Sequence, residues 1–155
     1  NMSAQSIGYP KWVRTLEDGL QRSPDLARNL ILEMTKKSVM AAPEVARYFM
    51  NDMQKLGLCF AIDNFGAGQT SLVQLRDFYF DIIKMDGQFT KNLAQSTDNQ
   101  ALIQSVIGIA GSFEMFCVAQ NVETASDAEV LTTLGVDCLQ GYHLGVPTLT
   151  PPWRQ

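Results

Sequence analysis

Cys59-Phe60-Ala61-Ile62-Asp63 and, further along, Ile82-Ile83-Lys84-Met85-Asp86 decide how this chain folds. Each is a five-residue run, almost wholly apolar, with charge only at or near its carboxyl end. That is the pattern of a strand covered on both faces in a parallel sheet. Working outward, Leu30–Met34, Phe116–Gln120 and a short Asp137–Gly141 repeat it. The spacing between successive runs leaves room for one crossover helix each time, since a parallel connection needs roughly a dozen residues or more. Pro43–Leu56 carries Val45, Phe49, Met53 and Leu56 at helical spacing, opened by a proline and closed by Gly57. Gln100–Phe113 places Ile103, Val106, Ile107 and Ala110 on one stripe, Ser126 is expected to cap a short helix through Leu134, and a further helix is expected around Trp12–Leu20. An all-helical reading leaves Cys59–Asp63, Asp81–Asp86 and Phe116–Gln120 unexplained, so the expected class is parallel α/β.

Composition bounds the functions. The 155 residues, 46% of them apolar and 18% charged, suit one globular domain over 1–155 with a real core. Twelve Lys and Arg against sixteen Asp and Glu give a net charge of -4. With a pI near 4.9, no broad cationic surface is expected for duplex DNA or an anionic membrane. No apolar stretch approaches the roughly 18 residues needed to span a bilayer, and the start lacks the regions of a signal peptide. Three scattered cysteines in apolar runs, Cys59, Cys117 and Cys138, are expected to be buried thiols in a reducing, cytoplasmic setting. The absence of an initiator Met suggests a fragment, whose parent could be tethered to a membrane.

Polar residues recur at one end of the strands: Glu33, Asp63, Lys84 with Asp86, Gln120 and Gln140. The carboxyl ends of parallel strands all lie on one side, and residues two apart share a face, so Lys84 and Asp86 line the same mouth. Any one of these residues is ordinary strand-end polarity; their succession is what marks a site. Glu33 and Asp63 are hard oxygen ligands suited to Mg²⁺ or Mn²⁺, and Lys84 could pair with them, neutralise a phosphate or orient a water.

Six segments, in order, resemble motifs of the EAL-domain family of cyclic di-GMP phosphodiesterases and receptors. Asn1-Met2-Ser3 resembles the asparagine motif, Glu33-Met34-Thr35 the start of E-x-T-E, and Asp63–Gly68, continuing to Ser71-Leu72, the D-D-F-G-x-G loop. Lys84-Met85-Asp86 resembles K-x-D, Ala119–Thr124 the A-E-G-V-E-T motif, and Gln140-Gly141-Tyr142 with Pro147 the Q-G-Y segment and its trailing proline.

The resemblance implies a (β/α)8 TIM-like barrel of the EAL type, of which this chain holds the later strands and helices, the E-A-L motif being expected before Asn1. It implies cyclic di-GMP as partner, and Mg²⁺ or Mn²⁺ activating a water that opens one phosphodiester to give pGpG. By position it makes Asn1, Glu33 and Asp63 metal ligands and Lys84, Asp86 and Glu123 catalytic. Asp63, Lys84, Glu123, Gln140, Gly141, Tyr142 and Pro147 become nucleotide contacts, and His143 incidental. It also makes a homodimer plausible near Phe78-Tyr79-Phe80, a stretch that otherwise reads as core.

Departures from the pattern fall on the chemistry. Asn64 stands where the second acid of D-D-F-G is expected, Gln120 and Asn121 replace Glu and Gly of A-E-G-V-E, and Lys36 replaces the closing Glu of E-x-T-E. Two lost charges beside a dication weaken a second metal, leaving a weakened single site or none. Three readings follow: a non-catalytic or weakly catalytic receptor or regulatory module, an active phosphodiesterase relying on one metal, and a protein-binding module that no longer takes nucleotide.

Overall fold

The structure, a computed structural model, describes residues 1–68 and 76–150. Its centre is a five-stranded parallel sheet of β1 (Ile31–Thr35), β2 (Cys59–Phe65), β3 (Ile82–Met85), β4 (Phe116–Ala119) and β5 (Cys138–Leu139). The strands lie side by side in chain order, β1-β2-β3-β4-β5. A doubly wound sheet reverses its order at a switch point; parallel strands in sequential order, with described helices between β1 and β2, β3 and β4, and β4 and β5, form an arc of a βα barrel. The α/β class and the partial barrel expected from the sequence are both present.

Alternation along the strands separates two faces. Leu32 and Met34, Phe60 and Ile62, Ile83 and Met85, and Cys117 and Ala119 point one way and are all buried. Helix α5 (Pro43–Lys55) packs on β2, and α6 (Thr97–Ser112) on β3 and β4. Trp12 of α2 (Pro10–Arg22) meets the Phe49 ring at 5.9 Å, and Phe49 meets Phe60 edge-on at the same separation, fastening two helices to β2. The opposite face carries Glu33, Asp63 and Lys84, with Gln120 just past the end of β4. Pairing in register, Glu33 with Ala61, Thr35 with Asp63, and Lys84 with Val118, brings these residues to one end of the sheet.

Several local expectations change. β5 is only two residues long: the Val136 N–H turns back to Leu131 O of the preceding helix, and Gln140, whose N–H still donates to Ala119 O of β4 at 2.8 Å, accepts the Val122 N–H from the loop beyond. The buried stripe of α5 is Ala46, Phe49, Met50 and Met53; Val45 and Leu56 face solvent, because the sheet lies under the flank one residue further round. The helix after β4, α7 (Ala125–Leu134), is capped by Thr124 in place of Ser126: Thr124 Oγ1 accepts the Asp127 N–H and donates to Asp127 Oδ2 at 2.7 Å. Gly135, left-handed at φ 87°, ends that helix as expected. Only Cys117 of the three thiols is buried; Cys59 is half-buried and Cys138 exposed, both on the sheet face opposite Cys117. Phe78 and Phe80 are buried while Tyr79 between them is exposed. Ser71 and Leu72 lie outside the described residues.

Candidate active site at the carboxyl ends of the strands

The site begins with a bulge. Between Ile62 and Phe65, β2 uses three steps where β3 uses two, and Asn64 takes up the extra residue in the left-handed region at φ 53°. Asparagine tolerates that conformation, and such bulges re-aim the side chains beside them. Gly66 follows at φ 96°, where a Cβ would lie 2.1 Å from the Phe89 ring, so the loop closes tightly over the strand end.

Two polar clusters form at this end. Asp63 is half-buried and both its oxygens are engaged: Gln120 Nε2 donates to Oδ1 at 3.0 Å and Asn64 Nδ2 to Oδ2 at 2.9 Å. The remaining acceptor of the glutamine, Gln120 Oε1, is buried with no partner among the described residues. Beside it, Lys84 Nζ donates to Glu33 Oε1 at 2.6 Å, with the two side chains 8% and 25% exposed. A cation this deep needs a partner, and Glu33 is the partner the structure gives it.

Backbone contacts hold the rim in place. Thr90, only 1% exposed and unmarked in the sequence, donates its hydroxyl to Gln120 O at 2.7 Å and also approaches Gly87 O at 3.0 Å. Asp86 Oδ1 accepts the Gln88 N–H at 2.8 Å, shaping the loop after β3. Buried Asp127 accepts the Ala94 N–H at 2.9 Å, tying the start of α7 to the 3-10 turn Leu93–Gln95. Gly141 is required by close approach: a Cβ there would lie 2.2 Å from both Val122 N and Val122 O. The spacing Thr124-x-x-Asp127 is a capping pattern by which sequence reasoning could have found Asp127, whereas nothing in the sequence marks Thr90.

The expected residues are therefore only partly brought together. Glu33 meets Lys84, and Asp63 meets Asn64 and Gln120. Glu123, Gln140, Gly141, Tyr142 and Pro147 surround a separate hollow of about 340 Å³ that Gln120 and Asn121 also line. Asn1 is exposed at the edge of β1, where the Met2 N–H donates to Glu33 O at 2.8 Å. Among the described residues no three His, Cys, Asp or Glu side chains converge as a cation site. The two acids nearest each other in the sheet are committed to protein donors, and the side chains next to Asp63 are neutral amides. This donor set does not suit a pair of divalent cations.

Away from the mouth, burial and the nearby Asp137 carboxylate push the Cys117 thiol up to about 12, while burial and then Asp81 raise Cys59. Both carboxylates serve the backbone: Asp81 accepts the Phe60 N–H and Asp137 the Cys117 N–H, each at 2.8 Å. No described helix is long and apolar enough to cross a membrane.

The chain matches the EAL domain over residues 1–147. It belongs to the EAL domain family. A similar curated protein is the bifunctional diguanylate cyclase/cyclic di-GMP phosphodiesterase MucR of Pseudomonas aeruginosa, 30% identical over 147 residues, 95% of this chain. The chain spans 22% of that protein's length. Among solved structures, the PaMucR phosphodiesterase in complex with c-di-GMP superposes with a TM-score of 0.84 at 30% identity, covering 96% of this chain and 60% of that one. A manganese/cy-diGMP complex of Klebsiella pneumoniae BlrP1 superposes with a TM-score of 0.75 at 29% identity, covering 86% of this chain and 34% of that one. The five-stranded arc is thus part of an EAL barrel, and the polar clusters stand at its carboxyl-terminal mouth.

Proposed function

We propose that this EAL domain acts in cyclic di-GMP signalling as a receptor or regulatory module that binds the nucleotide without hydrolysing it efficiently. The observation that carries this reading is the pair of amides on Asp63, Asn64 Nδ2 and Gln120 Nε2. A two-metal displacement needs acids that hold both cations and face a bridging water. Here those posts carry hydrogen-bond donors, which satisfy Asp63 without any cation. A single Mg²⁺ or Mn²⁺ at Asn1, Glu33 and Asp63 would compete with Lys84 and both amides for the same oxygens.

The nucleotide contacts are proposed at the hollow of Gln140, Gly141, Tyr142 and Pro147, with Glu123 on its wall. Two neutral amides in place of acids also lower the repulsion that two phosphates would meet at Asp63. In this proposal Lys84 and Asp86 keep shaping the mouth, while the catalytic duty that the family pattern gives them and Glu123 is vestigial.

Calorimetric titration with cyclic di-GMP in EDTA tests the reading: saturable heat is expected, and none at high micromolar nucleotide counts against it. Incubation with Mn²⁺ is expected to give little pGpG. Turnover comparable to an intact relative would establish the active phosphodiesterase instead.

A protein contact is a second proposal, carried by a different observation. Tyr48 and Tyr79, 67% and 79% exposed, flank a hollow of about 250 Å³ that Arg47, Gln54 and Phe78 also line. We propose that this side, adjoining the stretch associated with a homodimer above, meets a second copy or a protein partner. Sedimentation analysis showing a monomer, unchanged by Tyr79→Ser, would remove the homodimer.

A further inference from the structure

Asn121 occupies a position where the backbone asks for glycine. Its φ is 57°, in the left-handed region, and the motif it interrupts has glycine there. The side chain it adds is exposed and lies against a neighbouring loop. An ideal Cβ on Gly87 would lie 2.1 Å from Asn121 Nδ2, 2.7 Å from Cγ and 2.8 Å from Cβ, so the carboxamide rests directly on the Gly87 backbone. The base beneath it is fixed as well, since Val122 is fully buried and Thr90 holds the Gln120 carbonyl.

That carboxamide stands between two hollows. One, of about 340 Å³, is the candidate nucleotide site beside Gln140 and Tyr142; the other, of about 400 Å³, lies over Gly87, Gln88, Lys91 and Asn92. Asn121 and Glu123 line both. With glycine at 121, the wall would be reduced to backbone plus the Glu123 side chain, and space above Gly87 would open toward the nucleotide site.

We propose that Asn121 is a specificity-determining residue of this mouth: its carboxamide closes the passage over Gly87 and selects against nucleotides with added bulk on that side. The inference rests on the nucleotide-binding reading above. Shape selection of this kind works by exclusion, through a group that the unwanted ligand must displace. On the Gly87 side the carboxamide has backbone behind it, so bulk entering from the nucleotide site must first turn the side chain away.

The test compares dissociation constants of cyclic di-GMP and its 2′-O-methylanthraniloyl derivative for the unsubstituted chain and for Asn121→Gly. The unsubstituted chain is expected to disfavour the tagged nucleotide by about fivefold or more, and the variant to narrow that ratio to within about twofold. Glycine suits φ 57° better than asparagine, so the variant should fold. An unchanged ratio with both nucleotides bound overturns this inference alone. No binding of cyclic di-GMP by the unsubstituted chain overturns the functional reading, and this inference with it. A second measurement examines the wall without ligand: Gly87→Ala should lower the Tm clearly when Asn121 is present and far less on the Asn121→Gly background. Equal loss on both backgrounds refutes the wedge.

Discussion

Gln120→Glu restores an acid to the mouth, and the geometry around Asp63 gives the cost. The substitution replaces the Nε2 donor, 3.0 Å from Asp63 Oδ1, with a second carboxylate oxygen. A hydrogen bond to a charged group is worth about 1.5–3 kcal/mol, and it is lost. Two unit charges about 4 Å apart repel by about 4 kcal/mol at an effective dielectric near 20. Both side chains keep partial contact with water and can swing apart, so the repulsion is an upper bound. The other carboxylate oxygen inherits the buried, partnerless position of Gln120 Oε1, which worsens the desolvation. We expect a net loss of about 2–5 kcal/mol, with Tm falling about 2–4 °C for each kcal/mol in a domain of this size. Urea unfolding followed by far-UV circular dichroism in EDTA measures it. Adding Mn²⁺ should recover part of the loss, and more in Asn64→Asp/Gln120→Glu, where acids flank Asp63 on both sides. If Gln120→Glu is as stable as the unsubstituted chain in EDTA, the amides are not what neutralises Asp63, and the argument from them collapses.

Four other outcomes follow from the same structure. Glu33→Gln should destabilise more than Lys84→Met, by about 2–4 against about 1–2 kcal/mol in chemical denaturation, because the first strands the more deeply buried ammonium and the second leaves a carboxylate that water still reaches; the reverse order would show that Lys84 has another partner. Gly141→Ala drives a Cβ into the backbone of Val122, whose N–H and carbonyl bond Gln140 O and the His143 N–H at 3.0 Å each, so a loss of about 2–4 kcal/mol is expected in urea unfolding, together with weaker cyclic di-GMP binding. In native protein a maleimide should label Cys138 quickly and Cys117 only on unfolding. Because folding raises the Cys117 thiol from 9.0 to about 12, its contribution to stability is complete below pH 9 and fades as the pH climbs through 12; Cys117→Ala should lose less stability than the unsubstituted chain over that alkaline range, and parallel losses would contradict the assignment.

The parallel strands were legible because burial on both faces is written locally, as in Cys59–Asp63 and Ile82–Asp86, and the order of six motifs made the family legible too. The same alternation placed Glu33, Asp63, Lys84 and Gln120 at one mouth, since strand geometry requires only a period of two. Stripe and cap assignments were not legible in the same way: Val45 against Ala46, or Ser126 against Thr124, differ by a rotation or a hydroxyl that only the neighbouring element selects.

What tertiary structure alone decided is which polar groups satisfy one another. Lys84 and Glu33 are 51 positions apart in the chain, and Gln120 and Asp63 are 57 apart. Composition supplies the charges and amides, but hydrogen bonds act over about 3 Å. Whether Asp63 meets a cation or an amide therefore depends on strand register and on the bulge at Asn64. The contact of Asn121 with Gly87 is of the same kind, a meeting of two loops that neither segment encodes by itself.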